Sequence, residues 1–74
     1  MNATQRDLAY NLRTLRLRAG LYQGELANLV GVVPSAISQY ENAHREPSLG
    51  VALRLARALD TSLDALCGSR IKPC

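Results

Sequence analysis

Gly31 and Pro34 leave the chain only two residues in which to end one helical run and begin the next. Leu26, Ala27 and Val30 lie at i, i+1 and i+4, one face of a short helix from about Gln23 to Val30. A glycine just past that run suits the left-handed residue that closes a helix. Pro34 suits the first position of the next, where its missing N–H would be unpaired anyway. That second helix starts at Pro34 or Ser35, turns Ile37 and Tyr40 inward, and ends around Glu41 or Asn42. A turn this tight fixes the angle between two short helices. Ala27 supplies the small side chain where they approach.

The flanks are helical too. Thr4 can cap a first helix from near Gln5, with Leu8, Leu12, Leu15 and Ala19 on one face. Gly20 ends it, and Tyr10 and Leu17 make a minor apolar strip. Ala43 to Pro47 reads as loop. Ser48 caps a fourth helix with Leu49, Ala52, Leu53, Ala56 and Leu59 at helical spacing. Asp60-Thr61-Ser62 breaks it, and Thr61 or Ser62 caps a last short helix holding Leu63 and Leu66. No segment reads as a strand. The expected fold is all-α, a compact five-helix domain over residues 1–68 with a short, fraying tail over 69–74.

A chain of 74 residues holds one domain at most, with a small core. At 47% hydrophobic it is not a disordered composition. Cys67 and Cys74 lie too close together to staple a fold. His44 is the single histidine, so no zinc-ligand spacing exists and no metal is expected. There is no acid–base pair, nucleophile constellation or phosphate-cradling glycine loop, so neither catalysis nor a cofactor is expected. No apolar run reaches membrane-spanning length and Met1 to Arg6 is not a signal sequence, which makes the cytoplasm the expected location. Net charge is +3. Arg6, Arg13, Arg16 and Arg18 stand near the start against Asp7 alone. Arg45, Arg54 and Arg57 form a second group.

Two short helices on a tight turn, the second rich in small polar residues, suit a DNA major groove. That groove, about 12 Å wide, admits one helix whose first side chains reach base edges. Five blocks then carry a resemblance: Leu12-Arg13-Thr14-Leu15-Arg16; Gly20 through Ala27; Val30-Gly31-Val32; Ile37-Ser38-Gln39-Tyr40-Glu41-Asn42; and Arg45-Glu46-Pro47-Ser48-Leu49. In this order and spacing, over about Leu8 to Leu66, the chain resembles the lambda-repressor-like (XRE-type) helix-turn-helix family. The resemblance implies that helices 2 and 3 form the DNA-reading unit and that double-stranded DNA is the partner.

It also implies roles for single residues. Gln23, opening helix 2, contacts phosphate and braces a recognition side chain, or is a solvated helix start. On helix 3, Val33, Pro34, Ser35, Ala36, Ser38 and Gln39 are the base-reading candidates. Gln39 leads, because glutamine can pair with adenine N6 and N7; Val33, Pro34 and Ala36 could meet a thymine methyl. Pro34 departs from the polar residue usual in the family. Asn42 contacts the DNA backbone or caps the helix, and Ala43 stands where the family has glycine. Arg45 is a phosphate contact, and His44 an exposed polar residue. Tyr22 replaces the usual Ser or Thr cap and puts a phenol at the DNA backbone. Tyr40 either packs in the core or brings its hydroxyl to phosphate. Arg16 and Glu41 form a structural salt bridge between helix 1 and the end of helix 3. Arg6 and Arg13 are either solvated or phosphate-facing.

One module reads few base pairs, so a homodimer on a pseudo-palindromic operator is expected. Leu63, Leu66, Cys67 and Ile71 are the expected interface, with Val51, Leu55 and the Tyr10/Leu17 strip as extensions. Cys67 is read as a small hydrophobe rather than a redox switch. A transcriptional regulator of repressor or controller type is the leading function. An antitoxin with a toxin partner and a protein-interaction module on the same fold are the rivals.

Overall fold

The computed structural model describes residues 3–72. Among them the chain forms five α-helices and no strand: α1 (Ala3–Arg18), α2 (Gln23–Val30), α3 (Pro34–Glu41), α4 (Leu49–Ala58) and α5 (Leu63–Cys67). α2 packs on α3, α1 supports α3 and α5, and α4 closes over α2 and α5.

The termini follow local chemistry. α1 begins at Ala3, so Thr4 is helical and not the cap expected of it. Gly31 takes φ +74 and closes α2, where its own N–H and that of Val32 both reach the Ala27 carbonyl. Ser48 Oγ accepts from the Val51 N–H at 3.2 Å and Ser62 Oγ from the Ala65 N–H at 2.9 Å, capping α4 and α5. Arg54 spends its Nε–H on the Val30 carbonyl, 3.0 Å away, so this arginine of α4 caps α2 from outside. At the end of α3 the left-handed residue is Ala43, φ 57, while Asn42 keeps a negative φ.

Leu8, Leu12, Leu26, Val30, Ile37, Tyr40, Leu55 and Leu66 form the core with Ala27, Ala36, Ala56 and Leu59. On α4 the inward face is Ala52, Leu55, Ala56 and Leu59, while Leu49 and Leu53, expected inside, are exposed. Both readings fit a 3.6-residue period, because leucines stand at 49, 53, 55 and 59. Packing against α2 and α5 selects the one that fills the core with Leu55. Leu55 is thereby lost as an extension of the dimer surface.

One polar residue belongs to this core. Asn11 has no exposure, and its amide is fully used. Nδ2 donates to the Leu66 carbonyl at 3.0 Å and lies 3.2 Å from that of Ser69; Oδ1 accepts from the Ile71 N–H at 2.8 Å. Arg18 Nη2 donates to the Lys72 carbonyl, and Arg70 Nε pairs with Asp7 Oδ1 at 3.0 Å. The segment after Gly68 is therefore not the fraying tail expected of it. Up to Lys72 it is bound to α1; Cys74 lies outside the described residues.

Candidate nucleic-acid interface

α3 sits on α1 and α2 with Ala36, Ile37 and Tyr40 buried beneath it. That leaves Val33, Pro34, Ser35 and Gln39 exposed along one side, with Ser38 half-buried. Ala36 is 3% exposed, which corrects its assignment as a base-reading residue: its methyl packs inward and cannot meet a thymine methyl. Ser38 is partly committed, since Asn42 Nδ2 lies 2.8 Å from its carbonyl and 3.4 Å from its Oγ. Among the described residues Gln39 makes no side-chain hydrogen bond, so its amide is available to a partner.

Behind α3 lies a charged support. Arg16 Nε meets Glu41 Oε2 at 2.6 Å and Arg16 Nη2 meets Oε1 at 3.0 Å, a two-pronged pair. Arg16 Nη1 donates to the Leu21 carbonyl at 2.8 Å, so the guanidinium also pins the loop before α2. Both side chains are withdrawn from water, at 10% and 3% exposure. The Glu41 bond raises the Arg16 pKa above its ordinary value, partly opposed by desolvation. Gln23 Nε2 adds a third donor to the Glu41 carboxylate, meeting Oε1 at 3.2 Å. The carboxylate therefore joins α1, the opening of α2 and the end of α3. The bracing expected of Gln23 runs to Glu41; its half-buried side chain keeps Oε1 and one amide hydrogen.

Tyr22 stands before α2 at 79% exposure without a side-chain cap bond. Its N–H is satisfied in reverse, by Glu25 Oε1 at 2.8 Å. Tyr40 is 3% exposed, which corrects its assignment to the DNA backbone: its ring is core. The Arg45 guanidinium lies 5.8 Å from that ring centroid, a cation–π contact that holds an exposed cation beside the end of α3. Asn42 is exposed next to it.

Of the expected dimer residues, Leu66 has no exposure and belongs to the core, so it is withdrawn from the interface. Leu63, Cys67 and Ile71 are half-buried. Burial and the nearby Asp64 push the Cys67 thiol pKa up, opposite to what a reactive cysteine needs. Among the described residues no group of His, Cys, Asp or Glu could hold a metal ion, and no helix is long and apolar enough to cross a membrane. The sequence reading missed Asn11 and Arg54. Apolar periodicity is blind to a buried amide, and nothing local marks an arginine that caps another helix.

The family model described as Helix-turn-helix matches residues 12–66. Among solved structures, the P22 c2 repressor in complex with synthetic operator 9T is similar at 36% identity and TM-score 0.78, over 80% of this chain and 89% of that one. The restriction-modification controller protein C.AhdI from Aeromonas hydrophila is similar at 37% identity and TM-score 0.82, over 88% and 98%. The clp gene regulator ClgR from Corynebacterium glutamicum follows at 29% and TM-score 0.81, over 88% and 70%. No curated protein sequence matches the chain. Fold and site together define a DNA-binding transcriptional regulator. The chain belongs to the lambda-repressor-like helix-turn-helix family.

Proposed function

We propose that the protein is a repressor or controller that occupies a pseudo-palindromic operator as a homodimer and reads it with α3. The observation that carries this reading is the exposed row Val33, Pro34, Ser35 and Gln39 on a helix held from behind by Arg16, Glu41 and Gln23. A rigidly held helix loses little freedom on entering the groove. Gln39 reads adenine with its free amide, and Ser35 gives a less discriminating contact. One good two-bond contact discriminates bases by ~1–3 kcal/mol. Gln23, Tyr22, Asn42 and Arg45 take phosphates on either side and set the register.

α3 carries no Lys or Arg, so one subunit holds few groups for direct guanine readout or charge neutralisation. Pairing two subunits doubles the contacts. Leu63, Cys67 and Ile71, with exposed Leu49 and Leu53 on α4, supply apolar surface for that pairing. A regulator of operator DNA works where that DNA is, in the cytoplasm.

Selection from a randomised duplex pool at about 100 mM salt tests the reading. A palindromic motif with half-sites about 34 Å apart, and adenine or thymine opposite Gln39, supports it. Binding without sequence enrichment overturns it. Sedimentation that finds only monomer at high micromolar concentration, with and without operator, overturns the dimer.

A further inference from the structure

Beside the end of α3 a shallow cleft runs between α1 and the C-terminal segment, lined by Arg6, Tyr10, Arg13, Asn42, Ala43 and Arg70. Its charge is one-sided. Glu41 also borders it, but Arg16 already holds that carboxylate. Arg70 pairs at the surface with Asp7 at 3.0 Å and lies over the Tyr10 ring with its centroid 5.2 Å away. Among the described residues Arg6 and Arg13 have neither ion-pair nor hydrogen-bond partner, although both lie on α1 within reach of one groove. Two uncommitted guanidiniums facing one cleft repel each other and are stabilised by an anion between them. Exposed Asn42, proposed as a DNA-backbone contact, is also part of the cleft's lining. Arg6 and Arg70 both fall outside the residues 12–66 that match the family model.

We propose that this cleft binds backbone phosphate of the duplex flanking each half-site, next to the phosphate held by Asn42. The inference rests on the operator-binding reading. It extends the footprint onto DNA that α3 does not read and adds charge neutralisation that α3 lacks. The planar arginine fork suits phosphate oxygens, and Arg70 stacked over Tyr10 lines one side of the path for the strand.

The test uses the whole chain and two operator duplexes, one ending at the half-sites and one extended by about five base pairs at each end. Arg6→Gln and Arg13→Gln break no bond in the structure, so the double variant should melt with the wild type. On the extended duplex the plot of log affinity against log salt should be shallower by about one unit for each phosphate that a subunit no longer neutralises. Affinity should fall about tenfold or more, and Arg13→Lys should recover part of it. On the trimmed duplex variant and wild type should bind alike. Equal slopes on the extended duplex would overturn the proposal while leaving operator binding intact. If the wild type enriches no motif, the functional reading fails first and the flank contact fails with it. If inorganic phosphate at millimolar concentration raises the melting temperature of wild type but not of the double variant, and the slopes are equal, the cleft is a free-anion site and the DNA assignment is wrong.

Discussion

Arg16 and Glu41 stand 25 positions apart and meet through two nearly parallel hydrogen bonds of 2.6 and 3.0 Å, largely out of water. Removing one partner strands the other charge in the interior. Glu41→Ala should therefore lower the unfolding free energy by ~3–5 kcal/mol, read from urea denaturation. Replacing both at once, Arg16→Met with Glu41→Leu, should return more than half of that loss. If the single variant costs under about 1 kcal/mol, the pair behaves as an exposed surface bridge and the bracing role fails.

The same pair has a defined pH behaviour. The folded state raises the Arg16 pKa, so its contribution is complete below the ordinary arginine value and lost only as pH rises through the higher folded one. Arg16 should thus leave the melting temperature unchanged between about pH 6 and pH 10. An alkaline loss of stability in that window that disappears in the Arg16→Met, Glu41→Leu variant would contradict this.

Ala43 sits at φ 57 at the end of α3, in the region that costs a residue with a Cβ ~1–2 kcal/mol. Ala43→Gly removes that strain and returns part of it as unfolded-state entropy. A net gain of about 0.5–1 kcal/mol should appear as a higher urea midpoint with the m-value unchanged.

Asn11→Ala should cost ~2–3 kcal/mol, because the Ile71 N–H and the Leu66 carbonyl lose their partner inside the protein. Amide exchange at Ile71 should accelerate toward the rate of an open chain. Unchanged protection at Ile71 would show that the C-terminal segment is held by other interactions.

Cys67 should be a poor nucleophile, since burial and Asp64 both hold its thiol protonated. In a Cys74→Ser background, alkylation by iodoacetamide near pH 8 should run at least severalfold slower than for glutathione, and at the same rate after denaturation. Fast labelling of the folded chain would restore a redox role.

The sequence shows some of this architecture directly. Gly31, Pro34, Ser48 and Ser62 mark helix ends by their own backbone or side-chain chemistry, and the helices begin or end beside them. What sequence leaves open is which face each helix presents. α4 carries leucines on two faces, and only its neighbours decide that Leu55 goes in and Leu53 stays out. Ala36 looks like any small residue on a polar helix until α3 is seated on α1 and α2. The Arg16–Glu41 pair follows from the family resemblance, whereas Gln23's bond to Glu41 depends on the angle at which α2 meets α3.

Asn11 also makes α1 depend on a distant stretch of the chain. Its partners lie 54 to 60 positions further on: Nδ2 faces the carbonyls of Ala65, Leu66, Gly68 and Ser69, while Oδ1 accepts from the Ile71 N–H. Closing so long a loop is entropically unfavourable, and the packing of Leu66 on α1 together with these bonds offsets it. A chain ended at Gly68 would keep the Leu66 carbonyl for Asn11 Nδ2 but lose the Ile71 N–H, leaving Oδ1 a buried acceptor without its partner.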